Sequence, residues 1–262
     1  MNTLSLTDLL DVAVAAAKAA GGHAYNNKAR RTETNETFAH DIKLVLDVES
    51  QKKAEAVISE TFPEHGILGE EDAAPNQLSD YEWIIDPIDG TMNFSHGLEY
   101  WCSSVAVRHK GEVVAGCVYA PDYDACYTAH RDDTARLNGE PIRTAQTPAL
   151  KKALILTGLS KEIEVNPDLY FGRFRKLTLN TKKLRLMGAA ALDLCHVADG
   201  TADGFFEGSI FLWDYAAATL IVEQAGGVTR VFQDTEPAGS ATVVASNRNI
   251  FDDLKSIYTE PC

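Results

Sequence analysis

The chain is organised around one stretch, residues 83–94, which reads WIIDPIDGTMNF. Its first three residues are apolar and prone to β structure, which predicts a buried strand. Asp86 and Asp89 follow, and Pro87 between them removes a backbone donor and fixes φ, so we expect the strand to end here. This stretch therefore presents two carboxylates together at the end of a rigid element.

The residues next to the two acids add further oxygen atoms. Gly90 permits a tight turn, and Thr91 places a hydroxyl just beyond it. With the backbone carbonyl of Ile88, these groups form a ligand set suited to a hard cation such as Mg²⁺. The alternative is an ordinary Asp-Pro and Asp-Gly turn that binds no metal, and the stretch alone does not decide between the two.

Two other stretches also place acids at the ends of regular elements. Glu70 and Glu71 follow a short apolar run. Asp214 precedes a helix-prone run that closes at Gly226-Gly227, so we expect Asp214 at the N-cap position of a helix. An N-cap aspartate is common and usually does no more than cap its helix.

Taken in this order and spacing, the three stretches resemble the inositol monophosphatase family of Mg²⁺-dependent phosphatases. The matching residues are Gly69-Glu70-Glu71, Asp86-Pro87-Ile88-Asp89-Gly90-Thr91, and Trp213-Asp214 with its Gly226-Gly227 ending. The resemblance runs from about Asp41 to Gly227. It implies an α/β fold, a layered αβαβα sandwich of the inositol monophosphatase and fructose-1,6-bisphosphatase type, with an α+β N-terminal half and an α/β C-terminal half. It also implies hydrolysis of a small phosphate ester, two or three Mg²⁺ ions per site, inhibition by lithium, and a homodimer.

The resemblance assigns a role to each matching residue. It implies that Glu70, Asp86 and the carbonyl of Ile88 hold a first Mg²⁺. Asp86, Asp89 and Asp214 would hold a second, with Asp86 bridging the two ions. A third, more weakly bound ion would be coordinated by Glu70. Together with Asp89, the implied catalytic residues are Glu70 and Thr91, whose hydroxyl would orient the attacking water.

Substrate contacts are implied in the same way, and they are less distinctive in sequence. They are Gly90 and Thr91 through backbone N–H groups, Asp214, Ala190 through its backbone, and Glu207. A solvated acid at the end of a strand is an equally good interpretation of Glu207. We expect Asp72 to be a solvated surface residue, whereas Glu71 lies next to a predicted ligand.

The chain departs from the family pattern ahead of the first acidic stretch. The family usually carries a lysine at the position of Glu36, eleven residues before Asp47. Lys43 and Lys28 are the two candidates for a replacement cation, and the sequence does not choose between them.

Charge and composition restrict the partners. The 262 residues carry 24 basic and 38 acidic side chains, a net charge of −14, which argues against a protein that binds a nucleic-acid backbone. An acidic surface repels phosphate esters as well, and bound divalent cations would reverse that sign locally. No apolar run is long enough to span a bilayer, no secretory signal is visible, and the five cysteines are scattered, so we expect a cytoplasmic protein with reduced thiols.

The order of predicted elements divides the chain into residues 1–145, which carry most of the metal ligands, and residues 146–262, which carry Asp214 and the substrate contacts. Helical spacing from Ser5 predicts a first helix that stops at Gly21-Gly22, followed by a loop or flap over residues 23–40. A second helix is predicted from near Asp47 to Thr61 and a β-hairpin about Lys110-Gly111. Strands alternate with helices in the second half, as in layered α/β folds.

These observations favour a Mg²⁺-dependent phosphomonoesterase that acts on a small polyol phosphate, with inositol monophosphate as the first choice. Fructose-1,6-bisphosphatase activity and 3′(2′),5′-bisphosphate nucleotidase activity are alternatives within the superfamily. The nucleotidases usually carry a Ser-Pro-Val-Thr stretch before the Asp47 position, which is absent here. A different class of function is a metal-binding regulatory protein that has lost turnover.

Overall fold

The computed structural model describes residues 4–37, 42–72, 77–159, 163–164, 166–235 and 237–259. Within these residues the helices are α1 (Leu6–Asn26), α2 (Val45–Thr61), α3 (Thr91–His96), α4 (Pro167–Asn180), α5 (Ala190–Ala198), α6 (Leu212–Gln224) and α7 (Phe251–Thr259). The strands are β1 (Thr34–Thr37), β2 (Ile42–Leu44), β3 (Gly66–Gly69), β4 (Tyr81–Asp89), β5 (Cys102–His109), β6 (Glu112–Ala120), β7 (Ala125–His130), β8 (Arg136–Leu137), β9 (Glu140–Pro141), β10 (Leu154–Thr157), β11 (Lys183–Arg185), β12 (Gly204–Ile210), β13 (Val228–Gln233) and β14 (Ala241–Ser246).

Two large sheets and three pairs of helices alternate as five layers. The larger sheet has the order β3-β4-β5-β6-β7-β8-β9, and the smaller one has the order β11-β10-β12-β14-β13. Helices α1 and α2 pack on one face of the larger sheet, α5 and α6 lie between the two sheets, and α4 and α7 cover the far side of the smaller sheet. The predicted αβαβα sandwich is therefore confirmed.

The core is divided among these layers. Its largest apolar cluster joins α5 and α6 to both sheets, and a second lies between α1, α2 and the larger sheet. Both clusters contain residues of β4, whose Trp83, Ile84 and Ile85 are almost completely buried. The strand that carries the acidic motif is thus held from both faces, which fixes its end firmly. The division of the chain at residue 145 stays a prediction.

The first helix begins where the sequence predicts and ends later. Ser5 caps it by accepting a hydrogen bond from the N–H of Asp8 at 3.0 Å. The predicted stop at Gly21-Gly22 is wrong, because α1 continues to Asn26. A Cβ on Gly21 would lie 3.0–3.1 Å from side-chain atoms of Tyr119, Pro121 and Ser103. That glycine serves close packing of the helix on the sheet rather than helix termination.

The predicted loop over residues 23–40 is also wrong in part. Besides the end of α1, it contains a 3₁₀ turn at Lys28–Arg30 and strand β1, which pairs antiparallel with β2. Residues 38–40 lie outside the described residues. The polar sequence hides β1 because its described side chains, at residues 34–36, are exposed, while Ile42 and Leu44 on β2 pack against the core.

The strand β4 passes through Pro87 instead of ending at Asp86. The register against β5 shifts between Asp86, opposite Ser104, and Asp89, opposite Cys102. The bulge lets the proline, which lacks an N–H, sit in the strand without breaking a ladder bond. The carbonyl of Pro87 accepts a hydrogen bond from Ser103 Oγ at 2.5 Å.

Other predictions agree closely with the structure. Helix α2 begins at Val45, two residues before Asp47, and ends at Thr61 as predicted, and the hairpin about Lys110-Gly111 is β5 and β6. Among the described residues, no helix combines the length and apolar character needed to cross a membrane. Four of the five cysteines are described, and they are buried free thiols: Cys102, Cys117, Cys126 and Cys195.

Candidate active site

A parallel strand pair brings the first two acidic stretches together. Strands β3 and β4 run side by side with Gly69 opposite Ile85. Glu70 follows β3 directly, and its backbone N–H donates to the carbonyl of Ile85 at 3.0 Å. Because parallel strands end at the same edge of a sheet, Glu70 reaches the position beside Asp86.

Asp86 is the buried centre of the group, with 1% of its surface exposed. Burial raises the pKa of its carboxyl well above the usual range, and the neighbouring charges of Glu70, Asp89 and Asp214 raise it further. A side-chain hydrogen bond with Glu70 acts in the same direction. Four predicted ligands are therefore brought together, and the other three make Asp86 harder to ionise.

Asp89 is held from the other half of the chain. Its Oδ1 accepts a hydrogen bond from the N–H of Ala190 at 3.1 Å, and its Oδ2 accepts one from the N–H of Ala191 at 2.7 Å. The thiol of Cys102 lies 3.5 Å from Oδ2. Burial raises the pKa of Asp89 to about 6, while the backbone hydrogen bonds from α5 act against that rise.

Asp214 reaches the site from the first turn of α6, although it does not sit where the sequence predicts. The N-cap residue is Phe211, and Asp214 is the third residue of the helix. Its Oδ2 accepts a hydrogen bond from the N–H of Phe211 at 2.6 Å. The N-cap prediction is wrong because an acid at the third helical position can also satisfy a free N–H, by reaching back to the cap residue.

The turn after β4 positions the remaining groups of the motif. Gly90 has φ +90°, and a Cβ there would lie 3.1 Å from Ala189, Gly188 and Tyr100, so the turn requires glycine. The hydroxyl of Thr91 donates to the carbonyl of Ile88 at 2.9 Å. The hydroxyl proton of Thr91 is therefore used in the bond to Ile88. The hydroxyl oxygen can only accept hydrogen bonds from other partners.

The two predicted substrate contacts in the second half lie in different surroundings. The N–H of Ala190 is directed at Asp89, so this group supports a predicted ligand. Glu207 lies in β12, opposite Val243, and a side chain on Gly158 would overlap its carboxylate. Glu207 therefore lies over Gly158 on the smaller sheet, whereas the four acids meet beside the larger sheet. Its role in binding substrate stays a prediction.

The structure separates the two candidates for a replacement cation. Lys43 lies opposite Glu36 in the β1–β2 ribbon, and its Nζ is 2.5 Å from Oε2 of Glu71. Lys28 instead pairs with Asp122. Lys43 thus pairs its positive charge with Glu71, the residue that follows Glu70 in the sequence. Asp72 is exposed, as predicted, with Oδ2 2.8 Å from Nε2 of Gln51.

The acidic group fits a hard divalent cation by its chemistry. Its donors are carboxylate oxygens and one carbonyl, and the charged neighbours that raise the pKa of Asp86 are themselves acids. Among the described residues, no three acidic, histidine or cysteine side chains already stand in the geometry of a metal ion. Asp89 and Asp214 accept backbone N–H groups, so a cation would bind the lone pairs that these hydrogen bonds leave.

Sequence reasoning missed the residues that fasten α5 to this site. The side-chain Nδ2 of Asn93 donates to the carbonyls of Tyr100 at 2.8 Å and Met187 at 2.7 Å. The hydroxyl of Tyr100 donates to Oδ1 of Asp193 at 2.6 Å. The signal in the sequence is the aspartate itself, an acid inside the apolar run ALDLCHVA.

Comparison with known proteins gives a consistent result. The model of the inositol monophosphatase family matches residues 5–257. A protein of Pasteurella multocida named Nus factor SuhB is 34% identical, covering 98% of this chain and 97% of the relative. A fructose-1,6-bisphosphatase/inositol-1-monophosphatase of Aquifex aeolicus is 32% identical, covering 95% and 94%. The solved structure of inositol monophosphatase from Anabaena (Nostoc) superimposes with a TM-score of 0.85 at 32% identity, covering 97% and 96%.

Proposed function

Because this chain belongs to the inositol monophosphatase family, we propose that it hydrolyses inositol monophosphate with Mg²⁺ as its cofactor. Membership makes it a phosphoric monoester hydrolase. The observation that carries the proposal is the meeting of four carboxylates, Glu70, Asp86, Asp89 and Asp214, from three separate segments around one buried position.

These carboxylates and the carbonyl of Ile88 would hold two or three cations. When bound, Mg²⁺ supplies the positive charge that offsets the phosphate and lowers the pKa of the attacking water. Asp86 lies at the centre of the group, and Asp89 and Asp214 approach it from the turn after β4 and from α6. Asp86 would therefore contribute to holding more than one cation, as the family resemblance implies.

The chain's own residues would orient and deprotonate the water. Thr91 donates its proton to Ile88, so its oxygen is available to accept a hydrogen bond from water. Glu70 is hydrogen-bonded to Asp86, and a carboxylate in that position can accept the proton that the water loses. Gly90 and Thr91 remain the proposed contacts to the phosphate, and Asp214, Ala190 and Glu207 the proposed contacts to the rest of the substrate.

Fructose 1,6-bisphosphate is a second candidate substrate. The Aquifex relative, which matches over nearly the whole chain, is named for both activities. Both substrates are polyol phosphates, and the same carboxylate group would serve either of them. Inhibition by lithium, a homodimer and a cytoplasmic location belong to the proposal as well.

A phosphate-release assay tests the proposal directly. The purified chain is assayed with and without Mg²⁺ on inositol monophosphate, fructose 1,6-bisphosphate and 3′-phosphoadenosine 5′-phosphate. We expect Mg²⁺-dependent release that is fastest with inositol monophosphate, and suppression by millimolar lithium. Faster release from another substrate would replace the proposed one, and Mg²⁺ binding with no release from any substrate would favour a regulatory protein.

A further inference from the structure

The carboxylate of Asp89 is clamped by a helix that follows it by a hundred residues. Both of its oxygens accept N–H groups from the first turn of α5, at 3.1 Å from Ala190 and 2.7 Å from Ala191. Oδ1 keeps a second lone pair for another partner, whereas Oδ2 also faces the Cys102 thiol at 3.5 Å. The direction of the remaining lone pair therefore depends on where the first turn of α5 lies.

A buried hydrogen bond fixes that first turn. Asp193 is the fourth residue of α5 and has no exposed surface. Its Oδ1 accepts the hydroxyl proton of Tyr100 at 2.6 Å, while its Oδ2 is buried with no hydrogen-bond partner among the described residues. Burial raises the pKa of Asp193 well above its usual range, which favours the neutral acid, and asparagine is the neutral side chain of the same shape.

Tyr100 is itself tied to the turn that carries Asp89. Its backbone carbonyl accepts Nδ2 of Asn93 in α3, and the same nitrogen donates to Met187 just before α5. Gly90 lies against the carbonyl of Tyr100 on this path. The turn after β4 and the start of α5 are thus joined twice, through Asn93 and through the pair of Tyr100 and Asp193.

We infer that Tyr100 and Asp193 are positioning residues that act through the first turn of α5 to orient Asp89 for a divalent cation. The inference rests on the proposed function for the identity of the cation. Outer partners that orient a ligand commonly change metal affinity by about 10–100-fold when removed. The direct outer partners of Asp89 are the N–H groups of Ala190 and Ala191, and the hydrogen bond at Asp193 acts on them by holding the helix turn.

The same helix supplies a matched control. At its other end the hydroxyl of Tyr127 donates to Oδ2 of Asp199 at 2.8 Å. Asp199 is the C-cap residue of α5, far along the helix from Ala190. Removal of the Tyr127 hydroxyl deletes a similar tyrosine–aspartate bond without touching the turn that holds Asp89.

The test measures Mg²⁺ binding to the substrate-free full chain by isothermal titration calorimetry. Tyr100→Phe and Asp193→Leu should weaken binding about 10-fold or more. Asp193→Asn, which keeps an acceptor for Tyr100, should stay within about threefold of wild type, and so should Tyr127→Phe. In phosphate-release assays, kcat of Tyr100→Phe at saturating Mg²⁺ should remain within a few-fold of wild type.

Equal Mg²⁺ affinity in wild type and Tyr100→Phe would overturn the inference while leaving the proposed function intact. Equal weakening in Tyr100→Phe and Tyr127→Phe would also overturn it, because the effect would then be general loosening of α5. If Asp193→Leu does not fold, Tyr100→Phe still tests the inference. That variant removes only one oxygen atom, so we expect it to fold. Weakened Mg²⁺ binding in Tyr100→Phe, combined with a wild-type chain that hydrolyses no tested phosphate, would uphold the inference and reject the substrate.

Discussion

At the scale of single residues, the site brings several carboxylates close together in a buried position, which is unfavourable for their charged forms. Asp86 and Asp89 are almost completely buried, and each lies in the field of other acids. Groups in such surroundings are stable only if they share protons, accept N–H groups or bind cations. The structure shows the first two arrangements, and the third is the basis of the proposed activity.

The first prediction concerns Asp89→Asn. This change preserves shape and removes one charge of the proposed second ion site, so we expect kcat to fall by about 100-fold or more. The measurement is steady-state phosphate release at saturating Mg²⁺. The same acid-to-amide change at Asp252, whose side chain is 90% exposed on α7, is the control and should leave kcat unchanged. A normal kcat in Asp89→Asn would remove the second ion from the mechanism.

The second prediction concerns Glu207→Gln. If the carboxylate over Gly158 accepts hydrogen bonds from substrate hydroxyls, loss of its charge should weaken binding by about 1.5–3 kcal/mol, mainly as a higher KM. An aryl phosphate has no such hydroxyls and serves as the comparison substrate. Equal effects on KM for inositol monophosphate and for the aryl phosphate would exclude Glu207 from substrate recognition.

Single residues also show how far the sequence predicts the site. The four acids are recognisable because they follow apolar runs or lie at the start of a helix-prone run, and those are short-range patterns. Tyr100, Asn93 and Asp193 were missed because the bonds that join them across the chain, from Asn93 to Met187 and from Tyr100 to Asp193, span 94 and 93 positions, where sequence spacing says nothing. The N-cap prediction for Asp214 failed for a local reason. An aspartate can accept a free backbone N–H at the start of a helix either from the N-cap position or from the third helical position, and Asp214 does so from the third.

At the scale of elements, packing corrects what composition suggests. The glycine pair in α1 has the composition of a helix stop, yet it lies within the helix because the helix must approach β5 and β6 closely. Strand β4 accepts Pro87 because the bulge removes the need for its N–H. In both cases the tertiary contact outweighs the local preference of the residue. Strand β14 and helix α7 were not predicted at all.

The third prediction compares the two glycines of α1. Gly22→Ala should stabilise the protein by about 0.5–1 kcal/mol, because a Cβ there meets nothing within 4 Å and a helical glycine is removed. Gly21→Ala should destabilise it by about 1–3 kcal/mol, because the methyl group crowds Tyr119, Pro121 and Ser103. Urea denaturation of both variants measures the difference. Equal stability would mean that Gly21 has no packing role.

The fourth prediction concerns the ring stack that joins the end of α2 to β4. His65 lies between Phe62 and Tyr81, with ring centroids 4.5 and 4.8 Å away, and its Nδ1 accepts the indole N–H of Trp83 at 3.0 Å. Burial lowers the pKa of His65 and outweighs the opposing charge of Glu64. The unfolded chain therefore takes up the proton more readily, so this stabilisation is present above about pH 6.5 and is lost as the pH falls below it.

Urea midpoints at pH 7.5 and pH 5.5 test this expectation. The wild-type midpoint should fall more between the two values than that of His65→Asn, whose side chain offers an acceptor near Nδ1 and does not titrate. The difference between the two proteins isolates His65 from the other groups that titrate in this range. Parallel changes in both would assign the pH dependence to other residues.

At the scale of the whole molecule, the net charge of −14 and the buried acidic group act in the same direction. Each repels an anionic substrate, and the proposed divalent cation would offset both charges. The five-layer fold was predictable because the motifs identify a family whose layers are known. The composition alone predicts no more than a large core and no affinity for nucleic acid.

The fifth prediction is that Mg²⁺ stabilises the folded chain. At about 100 times its dissociation constant, an ion that binds only the native state contributes about 2.7 kcal/mol, which should raise Tm by about 5 °C or more. Differential scanning calorimetry with Mg²⁺ and with sodium chloride at equal ionic strength separates binding from screening. Asp89→Asn should show a smaller shift. Full activity after exhaustive chelation would reject the requirement for metal.

The clamp on Asp89 also has a consequence for the chain as it leaves the ribosome. The N–H donors of Ala190 and Ala191 follow Asp89 by 101 and 102 residues. Translation therefore exposes the acidic motif long before the helix that holds it exists. A nascent chain keeps Asp86 and Asp89 in contact with water until α5 and α6 dock, and only then do their carboxylates become buried neighbours. The proposed cation site would be completed late in synthesis, so divalent cation binding would report finished folding.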